Sequence, residues 1–323
     1  MVGTPSSLQT HAFSERFLDD AAALLAARHA RHRQGEPLLP DRFEDPAAAR
    51  AEIEALLASD GTDGVAATRG GELAGFLVGI RKDDSWGPNV WVEPAGHAVE
   101  RAEDVRDLYA AAAARWVDEG RKAHFAVVPA TDPELVGAWF RLGFGHQHAY
   151  GIRELPDVEW PQGVREAEER DIAALMALAP ELPAHQQLAP VFSGLPRIDE
   201  DPETERKELL EEMASESVAS LVAEQDGRIV GNFFVCPLEV STSMHYGLAR
   251  PERMSFLGFA VTDPAVRGSG AGLALTQASF AWARSRGYEA MVTDWRVTNL
   301  LSSRFWPARG FRTTFLRLHR LIA

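Results

Sequence analysis

The chain has 323 residues, a formal net charge of −14 and a hydrophobic fraction of 46%. This length suffices for two domains of ordinary size, and the acidic balance disfavours a nucleic-acid partner, which requires a basic stripe. A single cysteine, Cys236, excludes an intramolecular disulfide. The first residues lack the apolar core of a signal peptide and no stretch approaches a membrane span, so we expect a cytoplasmic protein without a membrane partner.

Apolar periodicity and turn residues predict helices and strands in the same order in both halves of the chain. In the first half, helices are expected at 14–33, 46–59, 102–119 and 133–142, and strands at 65–68, 73–80, 90–99, 124–128 and near 144–155. In the second half, helices are expected at 168–178, 203–215, 271–286 and 299–306, and strands at 220–224, 229–235, 255–261, 288–294 and 311–321. Hairpins followed by a βαβ crossover predict a mixed α/β sheet.

The two halves also share residues at fixed offsets, which indicates a duplicated domain. Gly120, Trp139 and Gly143-Phe144 recur 167 residues later as Gly287, Trp306 and Gly310-Phe311. The segment 71–76 likewise matches 227–232 at an offset of 156 residues. Between the copies, the two prolines of 155–163 suit an extended linker. We therefore predict domains at 1–157 and 163–323.

A glycine-rich loop follows the apolar strand of the second copy and precedes a helix. It reads Pro-Ala-Val-Arg-Gly-Ser-Gly-Ala-Gly over residues 264–272. Backbone N–H groups can converge on an anion there, and the helix dipole adds positive charge. The loop lacks the Gly-Lys-Ser/Thr of a P-loop and the third glycine of a dinucleotide fingerprint. A plain glycine turn is the alternative to a phosphate site.

Together these residues resemble the GNAT (Gcn5-related) N-acetyltransferase superfamily. The resemblance depends on an Arg-x-x-Gly-x-Gly loop after the central strand, an Asn-led helix and a late Gly-Phe: Arg267, Gly270, Gly272, Asn299 and Gly310-Phe311. It implies tandem GNAT folds, each a mixed, mostly antiparallel twisted sheet flanked by helices. It also implies that acetyl-CoA is the co-substrate.

The resemblance assigns cofactor-binding roles to residues of the second copy. The loop amides would hold the CoA pyrophosphate, the backbone of the central strand would pair with pantetheine where neighbouring strands splay apart, and a helix-leading side chain would reach the pantetheine arm. In this order, the residues are Arg267, Gly268, Ser269, Gly270, Ala271 and Gly272; Phe259, Ala260 and Val261; and Asn299.

The first copy resembles a degenerate version of the same fold. It has no Arg-x-x-Gly-x-Gly, and carboxylates flank the expected helix start: Glu100, Glu103, Asp104 and Asp107. These acids suit a helix dipole and would repel a pyrophosphate. We expect this lobe to bind no CoA and to serve packing and substrate lining.

Acetyl transfer to an amine requires a base, an oxyanion donor and a proton for the departing thiolate. Many members of the family supply that proton from a Tyr four residues before the Gly of Gly-Phe, but this position is Trp306 here. The nearest hydroxyls, Ser302 and Ser303, are candidates to position a water or the sulfur, or are simply surface serines. Asp294 is the candidate base or ammonium ligand, with a loop-start carboxylate as the alternative.

Other polar clusters carry weaker functional hypotheses. The pairs His29/His32 and His146/His148 have no third ligand nearby, so we expect no metal. His245 lies in the extra length of the second copy, which is either an acceptor loop or a hairpin end. The acidic run 199–205 opens a helix and would either favour its dipole or attract a cationic amine.

These observations predict an acetyl-CoA-dependent N-acetyltransferase whose acceptor is the amine of a small molecule or peptide. The rivals are a non-catalytic acyl-CoA-binding or regulatory protein and an assembly module with two vestigial lobes. The sequence leaves open the acceptor, the length of the acyl group and whether the chain forms a homodimer, because fold does not determine substrate.

Overall fold

Residues 7–84, 86–192, 201–241 and 246–323 are described by the structure, a computed structural model. Contacts divide the chain into two units. The first consists of 1–149, 246–251 and 313–323, and the second of 150–245 and 252–312. Neither unit is continuous in sequence, so both differ from the expected 1–157 and 163–323. In particular, the last strand of the chain belongs to the first unit.

The first unit is a mixed sheet flanked by helices. Its strands are β1 (Gln9–Ala12), β2 (Thr62–Arg69), β3 (Glu72–Asp84), β4 (Gly87–Val92), β5 (His97–Val99), β6 (Ala123–Pro129) and β13 (Arg312–Leu321). Residues 313–321 of β13 belong to this unit. They follow the order β1-β2-β3-β4-β6-β13, and β5 pairs with β3. The helices are α1 (Leu18–Gly35), α2 (Pro46–Leu57), α3 (Asp104–Asp118) and α4 (Pro133–Arg141). Only β4 and β6 pair in parallel among these registers.

The second unit repeats this plan. Its strands are β8 (Val164–Glu166), β9 (Ala219–Gln225), β10 (Arg228–Pro237), β11 (Met254–Thr262) and β12 (Ala290–Arg296), in the order β12-β11-β10-β9-β8. Its helices are α5 (Ile172–Leu178), α6 (Glu181–Gln187), α7 (Pro202–Ala214), α8 (Ala271–Ser285) and α9 (Ser302–Phe305). Strand β7 (Gly145–Glu154) contributes residues 145–149 to the first unit and 150–154 to the second. The mixed, mostly antiparallel α/β fold is therefore confirmed.

The duplicated residues have duplicated geometry. Gly120 and Gly287 end α3 and α8 at φ of 83° and 79°, and Gly143 and Gly310 have φ of 82° and 83°. A Cβ on Gly75 would lie 3.2 Å from Leu108 Cδ1, and one on Gly231 would lie 2.8 Å from Leu275 Cδ1. In both units this glycine lets a helix approach the sheet closely.

Some elements differ from the expected ones for identifiable reasons. The strand expected at 90–99 is broken, because Pro94 cannot donate to a ladder and a 3₁₀ turn at Pro94–Gly96 separates β4 from β5. The expected strand pair near 144–155 is the single strand β7. Strands β1 and β8 and helix α6 were not expected, since three or four residues carry little periodicity and Pro183 interrupts the helical pattern of α6.

No helix among the described residues is both long and apolar enough to cross a membrane. Within the same residues, no three His, Cys, Asp or Glu side chains are grouped so that they could hold a metal ion. Cys236 is buried, and burial raises the pKa of its thiol to about 12. A buried structural thiol is the interpretation that fits these facts.

Candidate active site

Strands β11 and β12 separate from each other at their carboxyl ends. Their parallel pairing begins at Met254 with Ala290 and ends at Leu257 with Thr293. Beyond this point β11 continues to Thr262 and β12 to Arg296 without pairing to one another. The edge of β11 that faces β12 therefore offers unpaired backbone groups over residues 258–262. A strand edge of this kind can pair with an extended polar ligand.

A β-bulge marks the residue where the strands separate. On β10, Phe234 pairs with Phe259 and the adjacent Val235 pairs with Leu257, which leaves Gly258 as the extra residue of β11. A Cβ at Gly258 would lie 2.8 Å from the Phe256 ring, so a side chain would not fit without movement. Bulges bend a strand and redirect its edge. The bulge therefore accounts for the divergence of β11 from β12.

The glycine loop lies directly after this divergent segment. Asp263 caps a 3₁₀ turn at Pro264–Val266, and α8 begins at Ala271. Gly268 and Gly270 have φ of 89° and 95°, a conformation that side chains rarely adopt, and neither has an atom within 4 Å of an ideal Cβ. The loop is thus exposed and uncrowded at these two glycines. Pyrophosphate binding by its backbone stays a prediction.

The electrostatics of this helix start favour an anion. The first turn of α8 has no acidic residue, and the first N–H groups of a helix have no intrahelical acceptor. Arg267 is exposed beside them. Ser269 accepts a hydrogen bond of 3.0 Å from Gln225 Nε2, which braces the loop against the end of β9. Because the Gln225 amide is uncharged, this contact does not reduce the positive potential at the start of α8.

Asn299 caps the first turn of α9 and also binds a histidine. Its Oδ1 accepts from Leu301 N at 3.0 Å and from Ser302 N at 3.4 Å. The same oxygen lies 3.2 Å from His185 Nε2. Asn299 is buried, at 5% exposure. This oxygen already accepts hydrogen bonds from these partners. The expected contact of Asn299 with a pantetheine arm therefore stays a prediction.

The candidate catalytic residues lie on the β12 side of this opening. On β12, Thr293 is the last residue that pairs with β11, and Asp294 follows it. Asp294 is half-buried. Ser302 and Ser303 open α9, and Ser302 Oγ donates to Arg296 O at 3.5 Å. The structure thus brings all three residues to the carboxyl end of β12. Their roles stay predictions.

Trp306, in the place of the usual Tyr, is a core residue. It is 5% exposed, and its ring lies 4.9 Å from Phe305, 5.6 Å from Phe311 and 6.0 Å from Phe233 between centroids. In the first unit, Trp139 packs on Phe144 in the same way, at 4.8 Å. The two tryptophans therefore share a packing role, and neither indole can act as a proton donor to sulfur.

In the first unit, the equivalent helix start is occupied by acids that pair with arginine. Asp104, at the start of α3, accepts from Arg69 Nη2 at 2.6 Å, and Glu103 accepts from Arg141 at 2.7 Å. Arg69 ends β2 as Gln225 ends β9, at the duplication offset of 156 residues. The same strand position thus carries an arginine that pairs with a carboxylate in the first unit and an uncharged glutamine that hydrogen-bonds the glycine loop in the second.

The strand opening of the first unit is filled by its own side chains. Strand β4 pairs with β6 as far as Val92, whereas β5 pairs with β3. His97 Nε2 donates to Val127 O at 3.1 Å across this gap. Arg28 of α1 donates to Pro94 O at 2.6 Å and to His97 O. Both side chains are buried, and burial with the nearby Arg28 lowers the pKa of His97 to about 3.

Three features of the site escaped sequence reasoning. His185 gave no signal, since a lone histidine in a weakly periodic segment is uninformative. Gln225 could have been found by extending the internal alignment, in which it is the counterpart of Arg69. The bulge at Gly258 can be recognised only from the pairing register of β10 and β11. His245 and the acidic residues Asp199 and Glu200 lie outside the described residues.

A cavity of about 380 Å³ in the second unit lies elsewhere, lined by residues that include Ser215, Ser220 and Arg286. Arg286 follows the last residue of α8. A helix of that length places the cavity about 20 Å from the glycine loop. The cavity is therefore separate from the candidate active site.

Comparison with known proteins identifies the kind of fold to which the chain is similar. Residues 185–311 match the model of the acetyltransferase (GNAT) family. A GCN5-related N-acetyltransferase from Sphaerobacter thermophilus superposes with a TM-score of 0.56 at 15% identity, covering 97% of this chain and 95% of that one. The glucosamine N-acetyltransferase region of a fungal multi-domain β-N-acetylglucosaminidase gives 0.56 at 15% identity, over 99% of this chain and 38% of that one.

A tandem GNAT protein from the clavulanic acid biosynthesis pathway is also similar, with a TM-score of 0.47 at 14% identity and 97% coverage of both chains. No curated protein of established function matches the sequence. At these identities, the structural similarities concern the fold alone.

Proposed function

Because residues 185–311 match the model of the acetyltransferase (GNAT) family, we propose that the second unit transfers an acetyl group from acetyl-CoA to the amine of a small molecule or peptide. The observation that carries the proposal is the succession of a strand opening after Leu257 and an open, acid-free glycine cradle at Gly268 and Gly270. An extended polar arm ending in a pyrophosphate fits that succession.

Each part of the site has a role in this proposal. The amides of the loop and of α8 bind the pyrophosphate, with Arg267 beside them. The free edge of residues 258–262 binds the pantetheine arm and supplies a backbone N–H to the developing oxyanion. Asp294 attracts the acceptor ammonium, and Ser302 or Ser303 orients the sulfur or a water. The bound thioester supplies the activated acyl group.

The first test is acetyl-CoA binding measured by calorimetry on a matched charge pair. Asn and Asp both tolerate a positive φ, so Gly270→Asn and Gly270→Asp differ mainly in one negative charge. We expect Gly270→Asp to weaken binding at least tenfold more than Gly270→Asn. Gly71→Asp, at a φ of 94° with open space in the first unit, is the control that should leave binding unchanged. Equal binding by the Asn and Asp variants would contradict the cradle.

The second test is turnover. Thioester consumption with glucosamine, spermidine and a peptide with a free N-terminus distinguishes transfer from binding. Acetyl-CoA binding without transfer to any amine would favour the second candidate, a non-catalytic acyl-CoA-binding or regulatory protein. The observation in favour of that candidate is the buried, non-titrating Trp306 where the family commonly has Tyr.

We also propose that the first unit binds no acetyl-CoA. The Arg69–Asp104 pair occupies its helix start, and Arg28 and His97 occupy its strand opening. Calorimetry should therefore give one acetyl-CoA per chain, and Gly270→Asp should weaken that one site. A stoichiometry of two, or a site that keeps its full affinity in Gly270→Asp, would contradict a closed first unit.

A further inference from the structure

We propose that His185 is the general base that takes the proton from the acceptor ammonium. This inference deepens the proposed function and rests on it. The strongest observation is the hydrogen bond between His185 Nε2 and Asn299 Oδ1 at 3.2 Å. It defines which ring nitrogen carries the hydrogen.

The orientation of the Asn299 amide follows from its backbone partners. Leu301 N and Ser302 N can only donate, so the Asn299 atom that faces both of them must be the oxygen. An oxygen that faces His185 Nε2 can only accept, so Nε2 must carry a hydrogen. In the neutral ring the lone pair then resides on Nδ1. His185 is thereby held in the tautomer that can accept a proton at Nδ1.

The position of His185 matches the strand opening. Helix α6, which carries His185, packs against β11. Asn299 follows the end of β12 by three residues and is itself buried. Thr298 Oγ1, beside it, donates to Val191 O at 3.3 Å and ties the segment after α6 to the same end of β12. Helix α6 therefore packs on β11, and its His185 contacts the segment that directly follows the diverging end of β12.

The division of labour with Asp294 follows from chemistry. A carboxylate attracts an ammonium group, but its ordinary pKa makes it a weak base near neutral pH. Histidine ordinarily titrates between about pH 5 and 8, where proton transfer is most efficient. Asp294 on β12 then holds the cation, and His185 takes its proton.

The transfer that we propose conserves atoms, charge and electron pairs. His185 Nδ1 removes one proton from the acceptor ammonium, and the freed electron pair forms the C–N bond to the thioester carbonyl carbon. The C–S bond breaks, and its electron pair leaves on sulfur. The second proton that nitrogen loses on becoming an amide neutralises the thiolate. The His185 imidazolium then releases its proton to water.

The test uses the full chain with acetyl-CoA and whichever panel amine it acetylates fastest. His185→Gln retains an N–H donor for Asn299 but cannot take a proton. We expect its kcat to fall about 10²-fold, in line with the loss of a general base, while acetyl-CoA binding measured by calorimetry stays within twofold. Gln187→Ala, an exposed position on the same helix, is the matched control and should keep full turnover.

Chemical rescue separates a base from a structural residue. Added imidazole should restore turnover of His185→Ala, and the restored rate should rise with the basicity of substituted imidazoles. A kcat within threefold of the wild type in His185→Gln, or no rescue of His185→Ala, would overturn the assignment while leaving acetyl transfer established. Absence of transfer by the wild-type chain would instead overturn the proposed function, and the role of His185 with it.

Discussion

Trp306 and Trp139 are the residues whose equivalence matters most for the chemistry. Each is buried, each precedes a Gly-Phe pair, and each contacts the phenylalanine edge-on, at 84° and 81° between ring planes. Phe311 N and Phe144 N also donate to the carbonyls of the two tryptophans, at 3.3 and 3.4 Å. Both residues therefore complete a core, and in the proposed transfer the proton for the leaving thiolate comes from another group.

Substitution of Trp306 tests this packing role. Trp306→Ala should lower the free energy of unfolding of the second unit by about 3–5 kcal/mol, since it deletes a large buried ring. Trp306→Phe, which keeps much of the contact, should cost less and should leave kcat within about threefold. Denaturant unfolding and thioester turnover measure the two effects. A kcat loss of 10²-fold in Trp306→Phe without a stability change would assign a chemical role to the indole.

At the scale of elements, the helix that follows the central strand is held close to the sheet by one glycine in each unit. A Cβ at Gly75 would lie 2.7 Å from Val99 Cγ1 and 3.1 Å from Ala98 O. At Gly231 the corresponding distances are 3.1 Å to Thr262 Cγ2 and 3.1 Å to Val261 O, and Leu275 Cδ1 of α8 would lie 2.8 Å away. The backbone oxygens cannot move as a flexible side chain can. Helix position is thereby coupled to the strands that form the opening.

Gly75→Ala should therefore destabilise the first unit by about 1–3 kcal/mol through overpacking. Gly137→Ala is the matched control, because this glycine lies inside α4 and the nearest atom to its Cβ would be Arg141 Nη1 at 3.4 Å. The control should stabilise by about 0.5–1 kcal/mol, since alanine is the better helix former. Urea midpoints measure both; a neutral Gly75→Ala would show that α3 can move away from the sheet.

At the scale of the whole molecule, the order of residues along the chain does not follow the division into units. Residues 313–323, at the far end of the sequence, belong to the first unit. Strand β13 pairs with β6 from Phe315 opposite Pro129 to Leu321 opposite Ala123. Phe315 and Leu318 are fully buried there. The first unit therefore depends on residues that follow the second unit in the sequence.

Removal of residues 313–323 should accordingly unfold the first unit. The loss of each of the two buried side chains costs about 2–5 kcal/mol of the free energy of unfolding, and a strand ladder is lost with them. The total approaches the whole free energy of unfolding of a domain. Hydrogen exchange localised to β6 and α3 measures the effect, and a peptide of residues 312–323 added in trans should restore protection. Unchanged exchange in β6 after truncation would contradict the assignment of β13 to this unit.

Buried histidines make the stability of the first unit dependent on pH. Burial is the main cause that lowers the pKa of His29 and His124 to about 4 and of His32 and His97 to about 3. These rings stay neutral in the folded state, whereas the unfolded chain takes up protons below about pH 6.5. Stability should thus be complete above that pH and fall as the pH drops towards 4, by up to about 1.4 kcal/mol per pH unit for each ring.

Urea unfolding at pH 8, 6.5 and 5 measures this dependence. His32→Phe keeps a flat ring without a titrating nitrogen. It should therefore reduce the slope of the free energy of unfolding against pH by the contribution of one histidine. The second unit is the internal reference, because all four of these rings lie in the first unit. An equal acid response of both units would contradict the prediction.

The class of fold, the duplication and the loop at 264–272 are all readable in the amino-acid sequence. Local signals carry these features: apolar periodicity, paired glycines at constant offsets, and glycines that alone tolerate φ near 90°. The contrast between the acidic helix start at Glu103-Asp104 and the acid-free start of α8 was also readable, because helix dipoles act on neighbouring residues in the chain.

Features that depend on residues far apart in sequence become visible in the folded chain alone. The contact of His185 with Asn299 spans 114 residues, and that of Arg28 with His97 spans 69. The bulge at Gly258 appears only in the register of β10, and the membership of β13 only in its pairing with β6. Such contacts arise when packing brings separate segments together, so no local pattern records them. They turn a predicted phosphate loop into a candidate active site and show the other opening closed.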